Sequence, residues 1–209
     1  MSDYLNEILN SICHRGGPHE GLLPLCLRCS CVYAGAFTGI IFEVLLQLWR
    51  KRKPGKVDFY LAASALALMG VVGVSGLYGF SIIPDILKIF SAFCFGWAVA
   101  FFAISAIGAE LDSTAFEPQR LPLKRIALLV LFAVWTLALR CGGEWSLKML
   151  SGFALPGLFS AFLTVNFAFA FVLLRRLPRA SLRFGGSFVV LALMAAVEFA
   201  LFHFWRRML

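Results

Sequence analysis

The sequence predicts an all-α fold, a polytopic transmembrane helical bundle of about six spans, and three observations carry the prediction. Of 209 residues, 61% are hydrophobic and only 14% are charged. Mean hydropathy is +0.87, far above what a soluble domain of this size needs. The apolar residues also fall into runs of the roughly 20 residues that cross a bilayer as a helix. A net charge of +8 could suggest nucleic acid in a soluble chain. Here the Lys and Arg residues are clumped beside apolar runs, where they meet lipid headgroups and set orientation. The expected partner is therefore the lipid bilayer and not nucleic acid.

Residues 1–29 are read as an extracytoplasmic Cys- and His-containing segment, and residues 30–209 as the membrane domain. No basic start of a signal peptide precedes the first apolar run, so that run is expected to stay as a helix. The spans are Ser30 to Trp49, Val57 to Phe80, Ile86 to Ala109, Arg125 to Leu139, Ser151 to Leu174 and Ser187 to Trp205; the fourth is the shortest. Loop one carries Arg50, Lys51, Arg52, Lys53 and Lys56, loop three Arg120, Lys124 and Arg125, and loop five Arg175, Arg176, Arg179 and Arg183. The alternate segments are poorer, with none in 81–85 and only Arg140 and Lys148 after span four. By the positive-inside rule the odd loops are cytoplasmic and both termini extracytoplasmic.

That orientation puts the stretch CLRCSC, residues 26–31, outside the cytoplasm. Cys13, Cys26, Cys29 and Cys31, with His14 and His19, gather six of the chain's nine Cys and His residues into nineteen positions. Outside the cytoplasm such thiols are oxidised or held by metal, so the segment reads as a metal site, a dithiol redox device or a stapled loop. Pro24 suits a first helical turn, and Cys26 and Cys29, at i and i+3, then share a face with Tyr33 while Cys31 points elsewhere. The positive end of a helix, helped by Arg28, favours a thiolate at Cys26. For zinc, Cys13, Cys26 and Cys29 supply three thiolates, and His14, His19 or Cys31 could complete a tetrahedral shell, with His14 ranked first. The glycines and proline of residues 14–23 let the chain fold Cys13 back onto the pair.

The same residues resemble a family. Ser11, Cys13, His14 and Arg15, then Leu23, Pro24, Leu25, Cys26, Arg28, Cys29, Tyr33 and Gly35, are similar to the CH(Q/R)…PLCARCTGIYLG signature of the prokaryotic membrane proteins grouped as domain of unknown function 2085. The similarity covers residues 11–40. Lys88, Ser91, Phe95 and Gly96 resemble a later family element, RxxTGxxxG, with Lys and Ser in place of Arg and Thr. The resemblance implies a small multi-pass protein of a bacterial or archaeal cytoplasmic membrane, with an N-terminal cysteine and histidine motif and no established activity.

Further along, Gly70, Gly73, Gly76 and Gly79 form a smooth ridge that suits close helix packing, as do Gly35 and Gly39. Glu43 and Glu198 lie inside spans, so they are expected to face the bundle interior or water. Glu43 could pair with the basic loop after span one or bond Asn166. Glu198 and His203, with Cys94 and Cys141, fall in the outer half of the bilayer. Glu43, Glu198 and His203 thus form a possible intramembrane polar site, although His203 beside Trp205 also suits the headgroup level. Phosphate-binding glycine loops, a Ser-His-Asp order and HExxH are absent. Three functions remain: a zinc site, structural or functional, that a membrane-complex subunit or homo-oligomer could carry; a thiol-disulfide oxidoreductase cycling Cys26 and Cys29; and transport of a small solute or ion.

Overall fold

A computed structural model of the chain describes residues 26–49, 52–77, 83–110, 117–118, 123–141, 143–174, 185–190 and 192. Helix α1, Leu27–Glu43, continues without a break into a π-helical segment, Val44–Trp49. The helices that follow are α2, Lys56–Leu77, α3, Asp85–Glu110, α4, Leu123–Cys141, and α5, Gly143–Leu173. Helical backbone reappears at 185–190, around the start of the expected sixth span.

Local signals set the helix starts. Pro54 and Gly55 interrupt the chain before α2, and Asp58, in the first turn, accepts the Gly55 N–H at 2.7 Å. That bond satisfies one of the donors a helix start leaves without a partner. Pro84 begins α3 by accepting from the backbone N–H groups of Leu87 and Lys88 at 3.0 and 3.2 Å. Asp85 follows, its charge favoured at the positive end of the helix.

Four of the helices are long and apolar enough to cross a membrane: Leu27–Gln47, Lys56–Ser75, Asp85–Ala109 and Glu144–Leu173. Helix α4, with 19 residues that include Lys124, Arg125 and Arg140, is not one of them. The outward surface is apolar, with Val71 63%, Phe169 59% and Leu173 62% exposed; such a surface is stable against lipid and not against water. Spans one, two, three and five of the sequence reading thus correspond to α1, α2, α3 and α5, the expected fourth span falls on α4, and positions 191 and 193–205 of the expected sixth lie outside the described residues.

Helix α1 lies between α3 and α5, and α2 and α4 flank α3. The main core joins Cys31, Ala34, Trp97, Phe101, Phe132 and Leu150, all nearly or fully buried. Phe93 stacks on Phe132 with ring centroids 5.5 Å apart. Close approach of the helices depends on glycine: an added Cβ at Gly35 would collide with the Phe93 carbonyl, one at Gly96 with the Val32 carbonyl, and one at Gly157 with the Tyr33 carbonyl. The expected packing role of Gly35 is therefore realised. The ridge on α2 is different, because among the described residues Gly70 has nothing within 4 Å and Gly73 only the Arg28 Nη2 at 3.8 Å.

Two two-residue strands, Arg52–Lys53 and Glu117–Pro118, pair in parallel. They bring loops one and three to one end of the bundle, here called the strand end. Helix α1 starts at the opposite, cysteine end.

Candidate functional site

At the cysteine end, Cys26 is the residue before the first turn of α1. Its backbone is extended, at φ −58° and ψ 152°, and its side chain makes no capping hydrogen bond. The described helix runs from Leu27, and Pro24, expected in a first helical turn, lies outside the described residues. Cys26, Cys29 and Tyr33 pack on Leu158 of α5, together with Leu155, which confirms that the three share a face. Cys31 turns away into the main core, at 0% exposure, where Cys94 is also buried. Cys141, ending α4, is exposed, and none of these five cysteines is in a disulfide. Among the described residues no group of three or more His, Cys, Asp or Glu side chains could hold a metal ion. Cys13, His14 and His19 lie outside the described residues.

A second constellation occupies the strand end. Arg125 of α4 is fully buried and grips Glu43 of α1 with two bonds, Nε to Oε1 at 2.9 Å and Nη2 to Oε2 at 2.7 Å. Its third nitrogen, Nη1, lies 2.9 Å from Oδ2 of Asp58 on α2. Trp97 of α3 donates its indole N–H to Glu43 Oε1 at 2.9 Å, and Gln47 donates to Oε2 at 2.8 Å. The Gln47 amide also meets Ser105 of α3 at 3.1 and 3.2 Å, and the guanidinium sits 5.1 Å above the Phe101 ring. One guanidinium thus joins α1, α2 and α4 and lies against α3. The two-bonded fork gives this pairing both strength and direction at a site shielded from solvent.

The π-helical segment helps to build this constellation. Wider turns there carry Gln47 onto Glu43 and Ser105 at once, and π segments are frequent where a helix serves a specific site. Glu43 takes four donors on its two oxygens, so it acts as a tie between helices. Its partner is Arg125, and neither the basic loop after span one nor Asn166 supplies those donors. Glu198 and His203, the other two residues of the expected intramembrane polar site, lie outside the described residues. Cys94 and Cys141 do not join the cysteine pair: the first is in the main core and the second on the surface.

Sequence reasoning missed Asp58 and saw Arg125 only as a loop charge at the start of a span. A usable signal existed. Glu43 and Gln47, four apart inside an apolar run, mark an inward polar stripe that needs a cation at the same depth in another span.

The long apolar helices, the lipid-compatible outer face and the charges sealed inside define a multi-helix membrane protein in contact with the bilayer. Residues 18–102 match the model of a family described as predicted membrane protein (DUF2085), the same family that the cysteine motif resembles. The match takes in Cys26, Cys29, Glu43, Asp58 and Trp97. No curated protein and no solved structure matches the chain.

Proposed function

We propose that the protein holds a zinc ion at the cysteine end of its bundle, on the thiolates of Cys13, Cys26 and Cys29 and the imidazole of His14. The observation that carries this reading is the placement of Cys26 and Cys29 one turn apart on a single face, over Leu158, with Cys31 excluded from that face. A CxxC pair at a helix start is a common half of a tetrahedral zinc site. The donor set fits zinc in kind, since thiolate and imidazole are its preferred ligands. Among the described residues no third donor forms a metal-holding group with the pair, so this reading gives completion of the shell to Cys13 and His14.

A closed shell of four protein ligands contributes folding energy and leaves no open position for a substrate. The ion would therefore fasten residues 1–29 over the bundle. In a prokaryotic cytoplasmic membrane the positive-inside rule puts this site on the outer face, with loops one and three inside. The strand pairing that unites those two loops is consistent with that orientation.

Replacing ligands one at a time tests the assignment. Cys29→Ser is expected to lose zinc from the purified full chain, and Cys31→Ser to keep it. Retention of a full equivalent of zinc by Cys29→Ser would exclude this ligand set. Absence of metal from the unaltered protein, with Cys26 and Cys29 cycling between thiol and disulfide, would support the oxidoreductase reading instead.

A further inference from the structure

We propose that Arg28 anchors a phospholipid by its phosphate at the cysteine end of the α1–α2 contact, with an acyl chain lying on the bare glycine track of α2. This inference is independent of the zinc reading, because Arg28 faces α2 while Cys26 and Cys29 face α5. Arg28 projects from the first turn of α1, and its Nη2 lies 3.2 Å from the sulfur of Met69. A thioether is a weak acceptor for a cation. Its Nε is fully buried and has no hydrogen-bond partner. No carboxylate among the described residues lies within 4.0 Å of the guanidinium.

The contrast with Arg125, which is matched by two carboxylates, is sharp. Ser91 of α3, itself buried, brings its hydroxyl to 3.8 Å from the same Met69 sulfur. Arg28 stands at the first turn of a membrane span, with its Nε shut off from water, and a cation so placed is stabilised by an anion at the headgroup level. A phosphate offers oxygens in the geometry a guanidinium fork prefers.

The surroundings select the source of that phosphate. Among the described residues Gly73 has only Arg28 Nη2 beside it, at 3.8 Å, and Gly70, a turn further along α2 from the cysteine end, has nothing within 4 Å. Val71 and Val74 beside them are 63% and 52% exposed, so the track opens towards lipid. It runs from the cation into the apolar zone, as a headgroup and its chain do. A free anion would have no use for the apolar part.

The test uses the delipidated full chain in detergent, with phosphatidylglycerol added and bound lipid counted by native mass spectrometry. One lipid per chain is expected to survive gentle activation, with retention lower by about tenfold in Arg28→Gln, the loss of roughly one charge-assisted contact. Arg28→Lys is expected to fall between the two. Gly70→Leu fills only open space, so it is expected to fold normally and still retain less lipid, which keeps the idea testable where Arg28→Gln does not fold. Equal retention by the unaltered chain and Arg28→Gln, or by the unaltered chain and Gly70→Leu, would overturn the proposal. Arg28-dependent binding of inorganic phosphate with no lipid retained would overturn the lipid source.

Discussion

Glu43 illustrates how a carboxylate is kept inside an apolar span: every acceptor position is used, by Gln47, Trp97 and both faces of the Arg125 fork. A buried ion pair contributes little net stability over an apolar replacement, but breaking one side leaves an unmatched charge. Glu43→Ala is therefore expected to cost about 3–5 kcal/mol, read as a fall in the unfolding midpoint of the detergent-purified protein. The double variant Glu43→Ala, Arg125→Met is expected to be more stable than Glu43→Ala alone. A double variant as unstable as the sum of its parts would mean that the two side chains do not act as a pair. Glu43 as an inward residue was legible from its position in an apolar run. Its partner was not, because Arg125 sits 82 positions away in a segment whose three positive charges suggested a loop.

At the scale of helices, glycines of similar spacing behave in opposite ways. Those at 35 and 96 bring α1 and α3 into backbone contact, and Gly157 does the same for α5 against Tyr33. On α2, Gly70 meets nothing among the described residues and Gly73 only the tip of the Arg28 side chain, so neither brings two backbones together. Spacing cannot separate these cases, because it records the face a glycine occupies and not what the bundle puts opposite that face. Gly96→Leu should consequently destabilise by about 3 kcal/mol or more, whereas Gly70→Ala should be neutral or stabilising by up to about 1 kcal/mol through helix propensity. Thermal denaturation of the two variants in one detergent checks both; equal behaviour would contradict the packing described. Four of the expected spans, the first, second, third and fifth, were legible because apolar length is a strong signal. The π-helical segment was not, since it arises from how Gln47 must reach both Glu43 and Ser105.

For the molecule as a whole, the two ends carry different chemistry. The strand end is tied by Arg125 and bears the basic loops. The cysteine end presents Cys26, Cys29, Arg28 and the exposed Cys141. The proposed orientation, with the positive loops inside, predicts that Cys141 reacts with a membrane-impermeant maleimide added to intact cells expressing the protein, in a variant whose other cysteines are replaced by serine. Labelling only after the cells are opened would reverse the orientation. The class of the protein was legible in composition. The proposed ligands Cys13 and His14 were legible as a cluster of residue types, while their placement lies outside the described residues.

Zinc at the cysteine end is the central claim, and elemental analysis of the detergent-purified full chain, paired with a thiol count under denaturing conditions with and without reductant, tests it most directly. The account predicts about one zinc per chain, with all six cysteines counted as thiols before reductant is added. No zinc, with thiols that appear only after reduction, would contradict it.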